Sequence, residues 1–184
     1  NEDKVQVKVS GKDHNRVQIS NDNGSLRIAS DQKVRNRSVE IFCPENLSFQ
    51  KIKLQMGAGT IELDGDFKAE QMGVNVGAGT IENSGSLDIK EADFTVGVGT
   101  ADISEIQVEK LNGSCGMGDM ELTLTGKAAD YNYELKCGLG NLELDDSMET
   151  SITSGNKQIT NEAAVKNIKL DCGMGNVQVE FEED

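Results

Sequence analysis

Three cysteines in this chain stand directly before a glycine pair: "SCGMGDMEL" (114–122), "KCGLGNLEL" (136–144) and "DCGMGNVQV" (171–179). Thiols that recur at one sequence position suit metal ligation or disulfide exchange. A zinc site needs four ligands converging tetrahedrally, usually from CxxC pairs, and no CxxC occurs here. A straight ladder of thiols does not converge in that way. Disulfides between strand neighbours ~4.8 Å apart fall in the permitted Cα window, although in-register parallel strands meet the dihedral requirement poorly. Cys115, Cys137 and Cys172 are therefore expected to be buried thiols acting as small hydrophobes, equivalent to Val76 and Val96 elsewhere. Cys43, beside Pro44, belongs to no such position and is expected to pack by itself.

The second set is carboxylate: Glu62, Glu82, Asp102, Glu121 and Glu143, each three residues past the second glycine of a pair. Like charges stacked on neighbouring strands repel, so a divalent cation is one way to offset them. Calcium wants six or more oxygens, and the calcium-binding solenoid motif GGxGxD is missing. A solvated face screened by salt is the expectation, and no metal is assigned. "DGD" (64–66) and "DD" (145–146) are turn chemistry first. Thr60, Thr80 and Thr100 form a third column, but Glu flanks it and Asp119 and Asn141 continue it, so an ice-ordering array is discounted. For catalysis the chain has one histidine, His14 in "GKDHNR", no Trp, and Tyr131 and Tyr133 in "DYNYELK", read as packing. GxSxG, HExxH and P-loop motifs are absent. No catalytic, cofactor-binding or metal residue is assigned, and the expectation is a protein that is not an enzyme.

These residues owe their spacing to a repeat. Six segments carry Gly-x-Gly, with first glycines Gly57, Gly77, Gly97, Gly116, Gly138 and Gly173, at spacings of 20, 20, 19, 22 and 35. A period near twenty is the mark of a solenoid. A weaker copy, "NDNGSLRIAS", sits at 21–30. Apolar columns precede the glycines (Leu54, Val74, Phe94; Met56, Val76, Val96), lie between them (Ala58, Ala78, Val98, Met117, Leu139, Met174) and follow them (Ile61, Ile81, Ala101; Leu63, Asn83, Ile103). Another pair recurs as Phe67/Ala69, Leu87/Ile89 and Ile106/Val108. Alternation with polar residues is the period-2 signature of strands with one buried face, so all these columns are expected to point inward. Copies must then stack in register and in chain order. The result is an all-β fold, a parallel β-solenoid with repeats of about twenty residues, right-handed by the chirality of strand twist. Helical periodicity is missing, and glycines recur too densely for helices.

Residues 1–50 alternate less regularly, in "KVQVKV", "RVQI", "SLRIA" and "SVEIF", and read as an irregular β cap on a solenoid of residues 51–184. "DDSMETSITSGNKQIT" (145–160) reads as an inserted excursion, and Glu182, Glu183 and Asp184 as a charged guard on an open terminal edge. With 20 Gly and 1 Pro, the glycines belong to defined turns rather than to a linker. A net charge of −14 disfavours nucleic acid and anionic membranes as partners. No apolar run is long enough to insert in a membrane, and the chain starts without Met, as a trimmed ectodomain would.

The stretch "VEIFCPENLSFQKIKLQMGAGTIELDG", the glycine-pair copies, and the late "YELKCGLGNLEL" and "IKLDCGMGNVQVEF" resemble a bacterial adhesin-like family of domains of unknown function, related to the head GIN domain. The resemblance runs from about residue 5 to residue 181. It implies a right-handed parallel β-helix held on the outer side of a bacterial membrane by an anchor upstream. The expected function is a non-enzymatic cell-surface module, an adhesin or protein-interaction scaffold with a protein or cell-surface partner. Alternatives are a carbohydrate-active β-helix, as enzyme or sugar-binding module, and a regulatory protein-binding domain of a membrane-anchored envelope protein.

Overall fold

The computed structural model of the chain describes residues 4–12, 14–30, 37–145 and 150–182. The chain divides into two compact units, Asn1–Leu47 and Ser48–Asp184. The first holds two antiparallel pairs: β1 (Gln6–Gly11) with β4 (Arg37–Phe42), and β2 (Val17–Asp22) with β3 (Ser25–Ser30). Asn23 and Gly24 join β2 to β3 with φ of 48 and 78°, the mirror-image turn that suits a two-residue hairpin. The expected weaker repeat at 21–30 is therefore a local hairpin. "Asn-Gly" between alternating strands outweighs its likeness to the glycine-pair copies. His14 opens a short 3-10 turn, His14–Arg16, and its Nδ1 lies 3.0 Å from the Gly11 carbonyl. Cys43 is half-buried in this unit.

The second unit is one large, mostly parallel sheet: β5 (Ser48–Asp64), β6 (Phe67–Ser84), β7 (Leu87–Thr125), β8 (Tyr131–Cys137), β9 (Asn141–Leu144), β10 (Thr150–Ile152), β11 (Gly155–Ile159) and β12 (Lys166–Glu182). β5 pairs β6 with a register offset of twenty, Thr60↔Thr80 and Ile61↔Ile81, and β6 pairs β7 likewise. Inward side chains form one buried core that runs through Met72, Val74, Val76, Ile81, Phe94, Val96 and their equivalents. The pair column Leu87/Ile89 and Ile106/Val108 is buried as the alternation predicts. Asn83 interrupts an apolar column, and its amide donates 2.7 and 2.9 Å bonds to the Gly85 and Ser104 carbonyls and accepts the Ser104 N–H at 2.8 Å. It stitches the one turn that lost a residue, where Glu105 stands at φ 51° in place of a glycine. That lost residue is the spacing of 19.

The stacking does not follow chain order. β12 lies between β7 and β8/β9, parallel to both. Val177 pairs with Met120 on one side and Leu142 on the other. The last glycine-pair copy thus fills a slot that the preceding copy leaves open. Glu182 does not guard an open edge, because β12 is an interior strand; the expectation for Glu183 and Asp184 falls outside the described residues. The edge beyond β8 and β9 is closed by the excursion, whose β10 and β11 return antiparallel against β9 and β8. Residues 146–149 of that segment lie outside the described residues. Antiparallel cover of this kind pairs the ladders of β8 and β9 and leaves only the short strands β10 and β11 at that edge.

Stacking at this distance fixes the glycines. At Gly79, φ is +140°, and a Cβ would lie 1.8 Å from the Gly59 carbonyl oxygen. Gly73 has an ordinary φ and no atom within 4 Å of its Cβ position. Gly79→Ala is expected to destabilise the fold by about 3 kcal/mol, and Gly73→Ala to leave it within about 0.5 kcal/mol, as checked by urea unfolding.

Candidate functional site

The three cysteines form one inward ladder, but in the order Cys115, Cys172, Cys137, since Cys172 pairs with both of the others. All three are buried and are free thiols. The Cys172 Sγ lies 3.2 Å from the Gly175 carbonyl oxygen. Burial pushes its thiol up to about 12, helped by the neighbouring Cys137 and Cys115. Burial raises Cys115 as well. A thiol held neutral is a poor nucleophile and a poor metal ligand. Among the described residues, no three His, Cys, Asp or Glu side chains gather as a metal site. The ladder fills the core.

The apolar column between the glycines behaves differently from the sequence expectation. It points outward. Val98 is 47% exposed, Met117 46%, Met174 51% and Leu139 73%. Ala58 pairs with Ala78 and Ala78 with Val98, while Met117 pairs with Met174. Leu139 donates its N–H to the Gly173 carbonyl at 2.7 Å, so its side chain follows Met174. The result is a single exterior ridge whose side chains grow along the stack from alanine to methionine and leucine. The cause is a change of parity. Leu54 and Met56 face inward at even numbers, and Ile61 and Leu63 at odd ones, so the strand must switch faces within Gly57–Thr60. The second glycine makes the switch with its positive φ. That parity was readable in the sequence, and it is the signal that would have placed this column outside.

The Thr60, Thr80 and Thr100 column flanks the ridge, and the carboxylate column runs beyond it. Glu62 pairs with Glu82 and Glu82 with Asp102, and all are exposed. Farther along, the interposed β12 supplies amides: Gln178 stands between Glu121 and Glu143, and Asn176 between Asp119 and Asn141. Asn176 Nδ2 donates to Asp119 at 2.7 Å, and Asn141 Nδ2 to Glu143 at 2.6 Å. These side chains line a shallow groove of about 210 Å³. Elsewhere on the unit, carboxylates meet lysines from the neighbouring strand: Lys90 with Glu70 at 2.7 Å, Lys169 with Glu134 at 2.9 Å, and Lys68 with Asp88. Two lysines hold the Glu134 carboxyl below its ordinary range. In the turn before β6, the N–H and hydroxyl of Ser86 do the same for Asp66. No ion pair of this kind involves Glu62, Glu82, Asp102, Glu121 or Glu143 among the described residues.

Tyr131 and Tyr133 are buried, as their place in the alternation predicts. Their hydroxyls donate to the Val108 and Ala128 carbonyls at 2.8 and 2.6 Å. The Tyr131 ring packs on Phe181 at 5.5 Å, under the Lys166 ammonium. Burial pushes Tyr131 up to about 12 and Tyr133 further up, from an ordinary 10.0. A raised folded-state value gives stability that is complete below pH 10 and is lost as pH rises toward 12. The chain's only two tyrosines, with no Trp, make the readout clean. Tyrosinate absorbance should stay silent through pH 10 and then rise together with loss of β-sheet circular dichroism. A tyrosine titrating near its ordinary value with the sheet intact would contradict the burial.

Comparison with curated proteins and with solved structures finds no match. The Toastrack DUF4097 family matches residues 1–184. Its span includes every glycine-pair copy, the ridge and the inserted β12. A repeating, mostly β chain with this full-length match belongs to the Toastrack DUF4097 family of domains of unknown function.

Proposed function

We propose that this chain is a non-enzymatic interaction module, a right-handed parallel β-solenoid with repeats of about twenty residues, displayed on the bacterial cell surface as an adhesin or scaffold. The resemblance to adhesin-like domains related to the head GIN domain supports the location. The exposed ridge supports the role: among the described residues, Val98, Met117, Met174 and Leu139 are four of the five large apolar side chains exposed in this unit. Scattered surface apolar residues are ordinary, while a contiguous row of them marks an interaction site. A stacked sheet holds that row rigid, so a partner meets a preformed surface.

The carbohydrate alternative draws on the carboxylate groove, because sugar hydrolysis uses paired carboxylates. It lacks an aromatic platform there, since both tyrosines are buried with their hydroxyls bonded inward. No cofactor is needed for the proposed role. The regulatory reading uses the same ridge and differs in compartment.

Protease shaving of intact cells that make the full gene product tests the location. Release of fragments containing residues 48–184 before lysis is expected. Protection until lysis would overturn surface display and favour the regulatory reading.

A further inference from the structure

We propose that the exterior ridge is the docking surface for a cationic amphipathic helix of another polypeptide. The inference rests on the interaction-module reading and names the partner's chemistry. Three observations carry it. The first is the row itself, apolar from Ala58 to Leu139 and built largely of Met and Leu at its far end. Methionine side chains adapt to a partner's shape, which suits a docking surface more than a specific pocket.

The second is charge. Past the Thr60, Thr80, Thr100 and Asp119 column that flanks the ridge, the carboxylates from Glu62 to Glu143 make no ion pair with a lysine or arginine among the described residues, whereas Glu70, Asp88 and Glu134 each have one within the fold. Several other stacked carboxylates thus meet a lysine inside the fold, and this column is open to neutralisation from outside. An occupant must therefore bring apolar and cationic side chains together. A second copy of this chain, at −14 net, brings like charge, and an anionic lipid surface is repelled in the same way.

The third is pitch. The ridge crosses the strands, so its side chains recur at the ladder spacing of ~4.8 Å. An α-helix lying along it recurs every ~5.4 Å, close to one turn per repeat, whereas alternate residues of an extended strand recur at ~6.7 Å. Six repeats span ~24 Å, the length of a helix of about 16 residues. Its apolar stripe would cover Met117, Met174 and Leu139, and its lysines or arginines would face Glu62 through Glu143.

The test uses the full chain and a fluorescein-labelled 18-residue peptide, with leucines at helical spacing and lysines elsewhere. Two comparison peptides share its charge: one with the same residues in a non-amphipathic order, one with the leucines replaced by glutamine. Binding is read by anisotropy over a salt series. The amphipathic peptide should bind at least tenfold tighter than either comparison. Leu139→Ser alone should weaken it severalfold, and Met117→Ser/Met174→Ser/Leu139→Ser by tenfold or more, with thermal unfolding confirming that the exposed substitutions leave the fold intact. Glu121→Gln/Glu143→Gln should weaken binding and flatten its salt dependence, while Glu91→Gln, on another column, should not. Equal binding of all three peptides, or ridge variants that bind as the parent does, would overturn the proposal. So would a ridge-dependent change in sedimentation mass of the unliganded chain, which would make the occupant a second copy. Each of these failures leaves surface display untouched, because shaving reads location alone.

Discussion

The second unit depends on one strand that pairs on both sides. β7 and β8 do not pair with each other; β12 joins them, with Cys172 beside both Cys115 and Cys137 and Val179 beside both Leu122 and Leu144. Without β12, two stacks face a gap one strand wide. Backbone donors and acceptors along the gap would lose their partners, and the core would open at Met120, Leu142 and their neighbours. The closing pairs join residues 57 positions apart, as Asn176 to Asp119, so the slot is completed by non-local contacts whose loop-closure entropy slows folding.

The same insertion decides the surface chemistry. In chain order, Glu121 would stand beside Glu143. β12 puts Gln178 between them and Asn176 between Asp119 and Asn141. A neutral amide between carboxylates relieves repulsion, and Asn176 donates a hydrogen bond to Asp119 while Gln178 donates to Glu180 on its own strand. It also carries Met174 into the ridge between Met117 and Leu139, which keeps the apolar row unbroken across the exchange of order. Core, carboxylate column and ridge are thus three columns of one register.

Much of this was legible in the residues. The glycine-pair period gave the parallel sheet, and alternation gave the buried columns and the buried tyrosines. The order of the last two copies was not legible, because in-register stacking satisfies either arrangement: Cys172 fits beside Cys115 as well as Cys137 does. Pairing on both sides is a global property that no local motif encodes. The "Asn-Gly" hairpin at 23–24 was missed because a nearby repeat suggested a copy where turn chemistry was the stronger signal. The ridge was missed because each residue between glycines was assigned by its neighbours' polarity rather than by the parity switch across Gly57–Thr60. The family resemblance reached a family of domains of unknown function, which the full-length match to Toastrack DUF4097 supports.

The central claim is the place of β12, and methyl NOE spectroscopy on the folded chain tests it most directly. Val177 and Val179 should each show cross-peaks to two sides, to Met120 and Leu122 and to Leu142 and Leu144. Direct cross-peaks between Met120 and Leu142, with Val177 seeing Leu142 alone, would show copies stacked in chain order and contradict the account.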